Sequence, residues 1–326
     1  MIWEASAPSN IALIKYMGKT TDGQNTGTNP SLSLTLPHLR SSVIIEKSAG
    51  AEDEWSSLDK EFQLSEFGRQ KFLNHFLFLK KKFGFEDQIF SIRSKNNFPS
   101  DCGIASSASS FAALTQCAVK AFLDLTAKNE QIPVSVNSTF SVLEQARLSR
   151  RGSGSSCRSF YDGFVEWDGG DGICTLESLQ KKFWHQVFIV SDQQKKVSSS
   201  QAHLRVATSL LMSGRTERAR IRLEALKTHL AIQWNWRELF EISWAEFWDM
   251  HSLFETAQPS FGYMTPQSLE LLSAARDLWH NSDEGPLVTM DAGPNVHLLW
   301  QQSQKEQARA FAQQWSVPVF SNMEEL

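Results

Sequence analysis

The spacing of apolar side chains predicts a chain that begins in strands and ends in helices. Residues 10–16, 31–36 and 42–46 are apolar or β-branched runs bounded by Gly, Pro, Asn and Ser, the pattern of short strands. Between 65 and 83 the period lengthens. Phe67, Phe72, Phe76, Leu79 and Phe83 recur every three to five residues, which predicts a helix. Residues 88–94 return to strand and meet a turn at Asn96-Asn97-Phe98-Pro99. An Ala- and Leu-rich helix over 105–127 follows, with small residues in its first two turns. A second helix over 136–148 stops before the glycine-bearing segment 150–154.

Beyond 183 the pattern shifts. A strand over 183–190 leads to helical periodicity over 199–212, 216–230, 236–256 and 266–280. A strand over 286–290 runs into Asp291-Ala292-Gly293-Pro294-Asn295, and a last helix near 303–314 precedes an apolar stretch at 317–320. Mixed strands and helices followed by mostly helices predict an α+β fold of two lobes, 1–184 and 185–326. With no low-complexity linker and no internal repeat, the lobes should be tightly joined around a central cleft.

Composition narrows the class. At about 150 residues per domain, 326 residues fit two lobes. Hydrophobic residues at 41% and charged residues at 21% exclude a disordered chain. A net charge of −4 argues against a general nucleic-acid or anionic-membrane binder, leaving room for a local basic pocket. Residues 1–10 carry Glu4 and no Lys or Arg, unlike a signal peptide. Apolar runs stop at four residues, against the ~20 needed to cross a bilayer. The expectation is a soluble, cytoplasmic protein with no membrane or nucleic-acid partner. Cys102, Cys117, Cys157 and Cys174 are widely spaced and should be reduced thiols rather than disulfides or a zinc site. The histidines fall singly, without metal-ligand spacing, so no dedicated metal site is expected.

Four segments carry candidate chemistry. In 96–109 a turn and Gly103 lead into a helix opening with Ala105-Ser106-Ser107. Its bare N-terminus could cradle a phosphate, although such Ala-Ser runs also start ordinary helices. In 7–19, strand alternation puts Lys15, Met17 and Lys19 on one face and Tyr16 on the other, unless Gly18 breaks the pleat. That suits an anionic ligand, or an edge strand protected by lysines. In 150–159, Gly152-Ser153-Gly154-Ser155-Ser156 supplies donors and Arg158 a planar fork for a carboxylate or phosphate. A plain Gly-Ser linker is the alternative, disfavoured by the apolar flanks. In 287–295, Asp291 stands at a strand end before a small-residue turn, as an active-site acid or simply a turn former. Two phosphate motifs fail: Leu13 occupies the early glycine of a Walker A loop, and Cys157 the third glycine of a dinucleotide fingerprint.

Read in order, these segments resemble the GHMP kinase superfamily, and within it the mevalonate diphosphate decarboxylases. The resemblance rests on Asn10-Ile11-Ala12-Leu13-Ile14-Lys15-Tyr16 with Gly18-Lys19, and on Asn29 with 31–36. It extends through Asn96–Pro99 with Gly103–Ala108, Gly152–Ser155 with Cys157-Arg158-Ser159, Gly163–Trp167, Val190-Ser191-Asp192, Val197-Ser198-Ser199 and Asp291–Asn295. It implies a two-lobe GHMP kinase-like fold, with a ribosomal-S5-like N-terminal ATP-binding lobe and an α/β-sandwich C-terminal lobe. The implied enzyme is a homodimer that binds ATP with Mg²⁺ and a phosphorylated mevalonate. The implied reaction phosphorylates the 3-hydroxyl, after which phosphate and CO2 leave to give isopentenyl diphosphate. On this resemblance Asp291, Lys15 and Arg158 are catalytic, Asp291 by the 3-hydroxyl and Arg158 on the C1 carboxylate. Tyr16, Lys19, Ser153, Gly154, Ser155 and Ser199 hold the substrate. Asn96, Gly103, Ala105, Ser106 and Ser107 hold the nucleotide, with Mg²⁺ near Ser107. Departures stand at Met17 (usually Trp), Pro30 (usually Ser), Asp101-Cys102 and Ser200-Gln201-Ala202-His203. The last leaves the length of the phosphate tail open, so a kinase or decarboxylase acting on mevalonate or its monophosphate is the near alternative. A catalytically silent ligand-binding module is the distant one.

Overall fold

The computed structural model describes residues 1–59, 63–99, 106–128, 140–176, 181–193 and 195–323. Its spine is one antiparallel pair, β1 (Ile2–Ile14) on β2 (Ser31–Lys47). Both strands are longer than the hydrophobic pattern predicts. Ser6, Pro8 and Ser9 dilute the apolar run in β1, and β2 reads as two pieces because its register shifts midway. Pro8 faces Arg40 but Ser9 faces Leu36, leaving Pro37, His38 and Leu39 outside the ladder. A proline without an N–H is tolerated at such a bulge.

Four more strands complete this sheet among the described residues: β3 (Glu54–Ser57), β4 (Phe90–Asn96), β5 (Phe164–Trp167) and β6 (Ile173–Thr175), in the order β3-β4-β2-β5-β6. Between β3 and β4 runs α1 (Glu66–Phe83), capped at its start by the Ser65 side chain and stopped by Gly84 in the left-handed region. After β4 come α2 (Ser106–Lys128) and α3 (Val142–Arg150), the latter opened by a Ser141–Glu144 capping box. Of the apolar residues that predict α1, Phe72, Phe76, Leu79 and Phe83 bury against Phe90 and Phe122, while Phe67 in the first turn is exposed. The glycine-bearing segment after residue 150 continues into a 3-10 helix over Gly154–Phe160.

The second sheet has the order β10-β7-β9-β8, from β7 (Phe183–Phe188), β8 (Leu287–Thr289), β9 (Val296–Gln301) and β10 (Val319–Ser321). Strand β9 escapes prediction because its side chains through Trp300 are buried on both faces, so it shows no alternation. Its helices are α4 (Ser199–Arg205), α5 (Arg215–Thr228), α6 (Trp236–Glu255), α7 (Pro266–Ser282) and α8 (Lys305–Ala312). The single helix expected over 199–212 breaks after Arg205 into short 3-10 turns. There Ser209 turns its hydroxyl back to accept the Leu211 N–H.

One hydrophobic core spans both sheets. Ile11, Leu13 and Ile14 of β1 and Leu32 and Leu34 of β2 pack with Val187, Leu239, Phe247, Val288 and Leu298. Each such side chain contributes about 1.5–3 kcal/mol on full burial, so the lobes are joined at the C-terminal end of β1. The residues that follow, 15–19, emerge where the lobes part. Among the described residues no helix is long and apolar enough to cross a membrane.

Candidate active site

Strand β1 ends at Ile14, so the alternation expected for residues 15–19 does not hold. Instead Lys15, Tyr16, Met17 and Lys19 all line one cleft between the lobes. The chain turns at Gly18, whose φ of +95° favours glycine and where a Cβ would meet the Thr28 side chain at 2.5 Å. At the centre of the cleft Lys15 Nζ stands 2.7 Å from Asp291 Oδ1. Asp291 lies just past β8, its carbonyl accepting from Gly293 N–H at 2.8 Å and from His251 Nε2 at 3.1 Å. Burial alone would raise the Asp291 pKa, but Lys15, His297 and Arg158 outweigh it and hold the carboxyl below its usual range. Burial pulls the Lys15 ammonium downward, and the Asp291 charge and hydrogen bond oppose that shift without cancelling it. The Asp291 carboxyl is therefore ionised, a poor base and a good electrostatic anchor.

Arg158 sits in the 3-10 helix, 2% exposed. Its guanidinium donates to Ser31 Oγ through Nη1 and to Asn10 Oδ1 through Nη2 at 3.4 Å. Asn10 is itself fixed by donating to Ser159 Oγ at 2.8 Å. Among the described residues Arg158 has no carboxylate within 4.0 Å, and its Nε has no partner. A buried cation whose hydrogen bonds go to neutral groups, with Asp291 beyond ion-pair distance, costs stability unless an anion arrives.

Toward one end lie Tyr16, Lys19, Ser153, Gly154, Ser155 and Ser199, all on the cleft wall. Gly154 is required there, because a Cβ would fall 2.6 Å from the Tyr16 ring. Tyr16 itself donates to Asn25 O at 3.0 Å, and Lys19 Nζ to Asn25 Oδ1 at 2.8 Å. Burial, reinforced by the charge of Lys71, lowers Lys19 to about 8. The same wall carries Asn96, Ser106 and Ser107. Asn96 Oδ1 accepts from Ser41 Oγ at 2.6 Å, and Ser107 Oγ is 3.2 Å from Ser153 Oγ. Gly103 and Ala105, with the departures Asp101 and Cys102, lie outside the described residues.

Three lining residues carry no clear signal in the sequence. Lys71 reads there as one of the polar positions of α1, yet it faces the cleft with its ammonium 5.1 Å from the Phe111 ring. Lys195 belongs to a Lys-Lys pair with no periodicity around it; its Nζ donates to Ser199 Oγ at 3.0 Å and Ala292 O at 2.8 Å. His203 stands out only as a departure from the family pattern. It accepts the Gly18 N–H on Nδ1 at 3.1 Å, which leaves the proton on Nε2, and it lies 4.3 Å from the Tyr16 ring. The described lining thus carries Lys15, Lys19, Lys71, Arg158 and Lys195 against one acid, Asp291. That excess of cations in a concave, partly desolvated space selects a polyanion.

Two family descriptions match the chain. Residues 7–180 match the diphosphomevalonate decarboxylase-like N-terminal domain, and residues 186–324 the mevalonate 5-diphosphate decarboxylase C-terminal domain. The chain is 31% identical to the diphosphomevalonate decarboxylase mvd1 of Aspergillus fumigatus, over 92% of this chain and 77% of that one. It is 44% identical to a mevalonate diphosphate decarboxylase from Legionella pneumophila, whose crystal structure superposes with a TM-score of 0.88 over 98% of this chain and 100% of the other. A further structure, MDDEF in complex with MVAPP, AMPPCP and magnesium, is 26% identical with a TM-score of 0.85, covering 98% of this chain and 97% of that one.

Proposed function

The chain belongs to the mevalonate 5-diphosphate decarboxylase family, and on that footing we propose that its cleft carries out the ATP-dependent decarboxylation of mevalonate diphosphate. The observation that carries the assignment of roles is the Lys15–Asp291 pair with Arg158 beside it, inside a cation-rich wall. In this reading the 3-hydroxyl oxygen attacks the γ-phosphorus of ATP and ADP leaves. The C3–O bond of the phosphorylated alcohol then breaks, phosphate departs, and the C1–C2 electron pair becomes the new C2=C3 bond as CO2 is released. Asp291, kept ionised, orients the hydroxyl and stabilises charge rather than removing the proton early, in line with a loose phosphoryl-transfer transition state. Lys15 balances Asp291 and the moving phosphoryl group. Arg158 grips the C1 carboxylate through its fork and aims the bond that breaks.

Tyr16, Lys19, Ser153, Gly154, Ser155 and Ser199 hold the diphosphate, with Lys195 and the Nε2–H of His203 as added donors. Asn96, Ser106 and Ser107 hold the nucleotide. Among the described residues no three His, Cys, Asp or Glu side chains converge as a metal cage. Mg²⁺ would be carried mainly on the nucleotide phosphates, with Ser107 as the residue that would help hold it. Bound Mg²⁺ would neutralise charge on the transferring phosphate. The reading also includes a homodimer, lobes divided at 184/185 near the start of β7, and a cytoplasmic location, which the unpaired thiols of Cys117, Cys157 and Cys174 support.

The reaction is tested by supplying ATP with mevalonate, its monophosphate or its diphosphate and assaying ADP and CO2 separately. Stoichiometric ADP and CO2 with the diphosphate is expected. ADP without CO2 would remove the decarboxylase, and turnover confined to another mevalonate form would change its substrate.

Lys19 predicts a pH dependence. Its pKa of about 8 means that the free enzyme carries the ammonium below that pH and loses it above. KM for mevalonate diphosphate should then rise up to about tenfold between pH 7.5 and 9, in inverse proportion to the fraction of Lys19 still protonated. The bound diphosphate holds the proton in place, so kcat should be flatter. A Lys19→Gln variant should show a high KM without this alkaline limb; an unchanged limb would assign it to another group.

A further inference from the structure

Lys15 lies one residue beyond the β1–β2 ladder, which closes at Ile14 opposite Leu32. Its peptide group is held instead by side chains of the other lobe. The Lys15 N–H donates to Glu246 Oε1 on α6 at 3.0 Å, and its carbonyl accepts from Arg215 Nη2 on α5 at 3.0 Å. Asn29 Nδ2 adds a second donor to that carbonyl at 2.9 Å. Arg215 and Glu246 are wholly buried and bound to each other at both ends, Nη1 to Oε2 at 3.1 Å and Nη2 to Oε1. Behind them Asp249 accepts from Arg215 Nη1 at 2.9 Å, and Arg222 Nη1 donates to Glu246 Oε2 at 2.9 Å.

A buried ion pair is a weak source of stability, because desolvation consumes most of the attraction. This pair nevertheless directs one atom of each partner onto the two polar groups of a single residue, the one whose ammonium meets Asp291. We propose that Arg215 and Glu246 are positioning residues for the phosphorylation step: a clamp from the second lobe that sets where Lys15 Nζ stands. The inference rests on the roles given above to Lys15 and Asp291. Its physical basis is the steep loss of rate when a charged group near the reacting atoms shifts by about 1 Å, on the order of 10²-fold. The clamp also ties the first lobe's lysine to the second lobe, which carries Asp291, so both ends of the Lys15–Asp291 pair are fixed from the second lobe.

Arg215→Lys tests it. An ammonium can reach Glu246 but cannot also bridge to the Lys15 carbonyl. Glu246→Gln keeps a carbonyl oxygen for the Lys15 N–H but gives up the charge and the second acceptor, which Arg215 and Arg222 share through Nη1. Arg222→Gln breaks the same network without touching Lys15 and reports a merely structural loss. We expect Arg215→Lys to lower kcat about 10- to 100-fold, with KM for ATP within about threefold. Glu246→Gln should be milder, about 3- to 10-fold in kcat, because the acceptor survives. Arg222→Gln should lower Tm while leaving kcat within about twofold. Equal kcat losses in Arg215→Lys and Arg222→Gln at matched Tm would overturn the clamp. If Arg215→Lys does not fold, Glu246→Gln against Arg222→Gln decides on the same criterion. A wild-type protein without ATP-dependent CO2 release, or an Asp291→Asn variant with full activity, would instead overturn the roles beneath it.

Discussion

Asp291→Asn is expected to lower kcat by roughly 10²- to 10⁴-fold, the range of a charged group aimed at the reacting centre. KM for mevalonate diphosphate should stay within about threefold. The substitution is nearly isosteric, and the amide oxygen can still accept from Lys15 Nζ, now 2.7 Å away. What disappears is the negative charge that orients the hydroxyl and balances Lys15. The buried ammonium is then left without its counter-ion, and its pKa, already pulled down by burial, should fall further. Single-turnover assays separate the steps. If Asp291 acts in phosphoryl transfer, ADP and CO2 formation should slow together. Normal ADP release with CO2 lost would move its role to the decarboxylation half. Full activity would show that the acid at the end of β8 is only a turn former.

The candidate site is legible wherever function forces an uncommon residue onto a simple local pattern. Lys15 and Asp291 stand 276 residues apart, yet each ends an apolar strand with a charged side chain, and only a site or a rim does that. Arg158 stands out among glycines and serines that ordinary loops do not concentrate. Groups placed by tertiary packing leave no such trace. Lys71 sits among the charged positions of a helix, and Arg215 is one of four arginines between 215 and 222, alike in sequence. Only the fold buries Arg215 completely while Arg220 stays exposed. His203 gains its meaning from the Gly18 N–H it accepts across the cleft. The α+β class and two-lobe plan follow from period changes along the chain, because long amphipathic helices state their period plainly. Strands β3, β5, β6 and β9 are lost for the opposite reason: three or four residues define no period, and a strand buried on both faces shows none.

Arg158 should reveal its role through two effects of opposite sign. Its fork is buried against Ser31 and Asn10, neutral partners, with the Asp291 charge acting only from beyond ion-pair distance, and burial pulls its pKa down. The free protein therefore carries the desolvation cost of a cation whose partner is the incoming carboxylate. Arg158→Lys can keep the charge but not the paired bonds. Losing one charge-assisted hydrogen bond of about 1.5–3 kcal/mol corresponds to roughly a 10- to 100-fold fall in kcat/KM. Arg158→Gln loses the charge as well and should fall about tenfold further. Stability should move the other way. Replacing a buried, unneutralised guanidinium by a neutral amide that can still bond to Ser31 should leave Tm unchanged or raise it by about 2–4 °C. Mevalonate diphosphate should then stabilise the wild type against heat more than Arg158→Gln, because only the wild type gains a counter-ion on binding. A Gln variant that loses Tm along with activity would show that the guanidinium holds Ser31 and Asn10 for the fold. A gain in Tm at the expense of rate is the signature of a charge kept in place for its substrate.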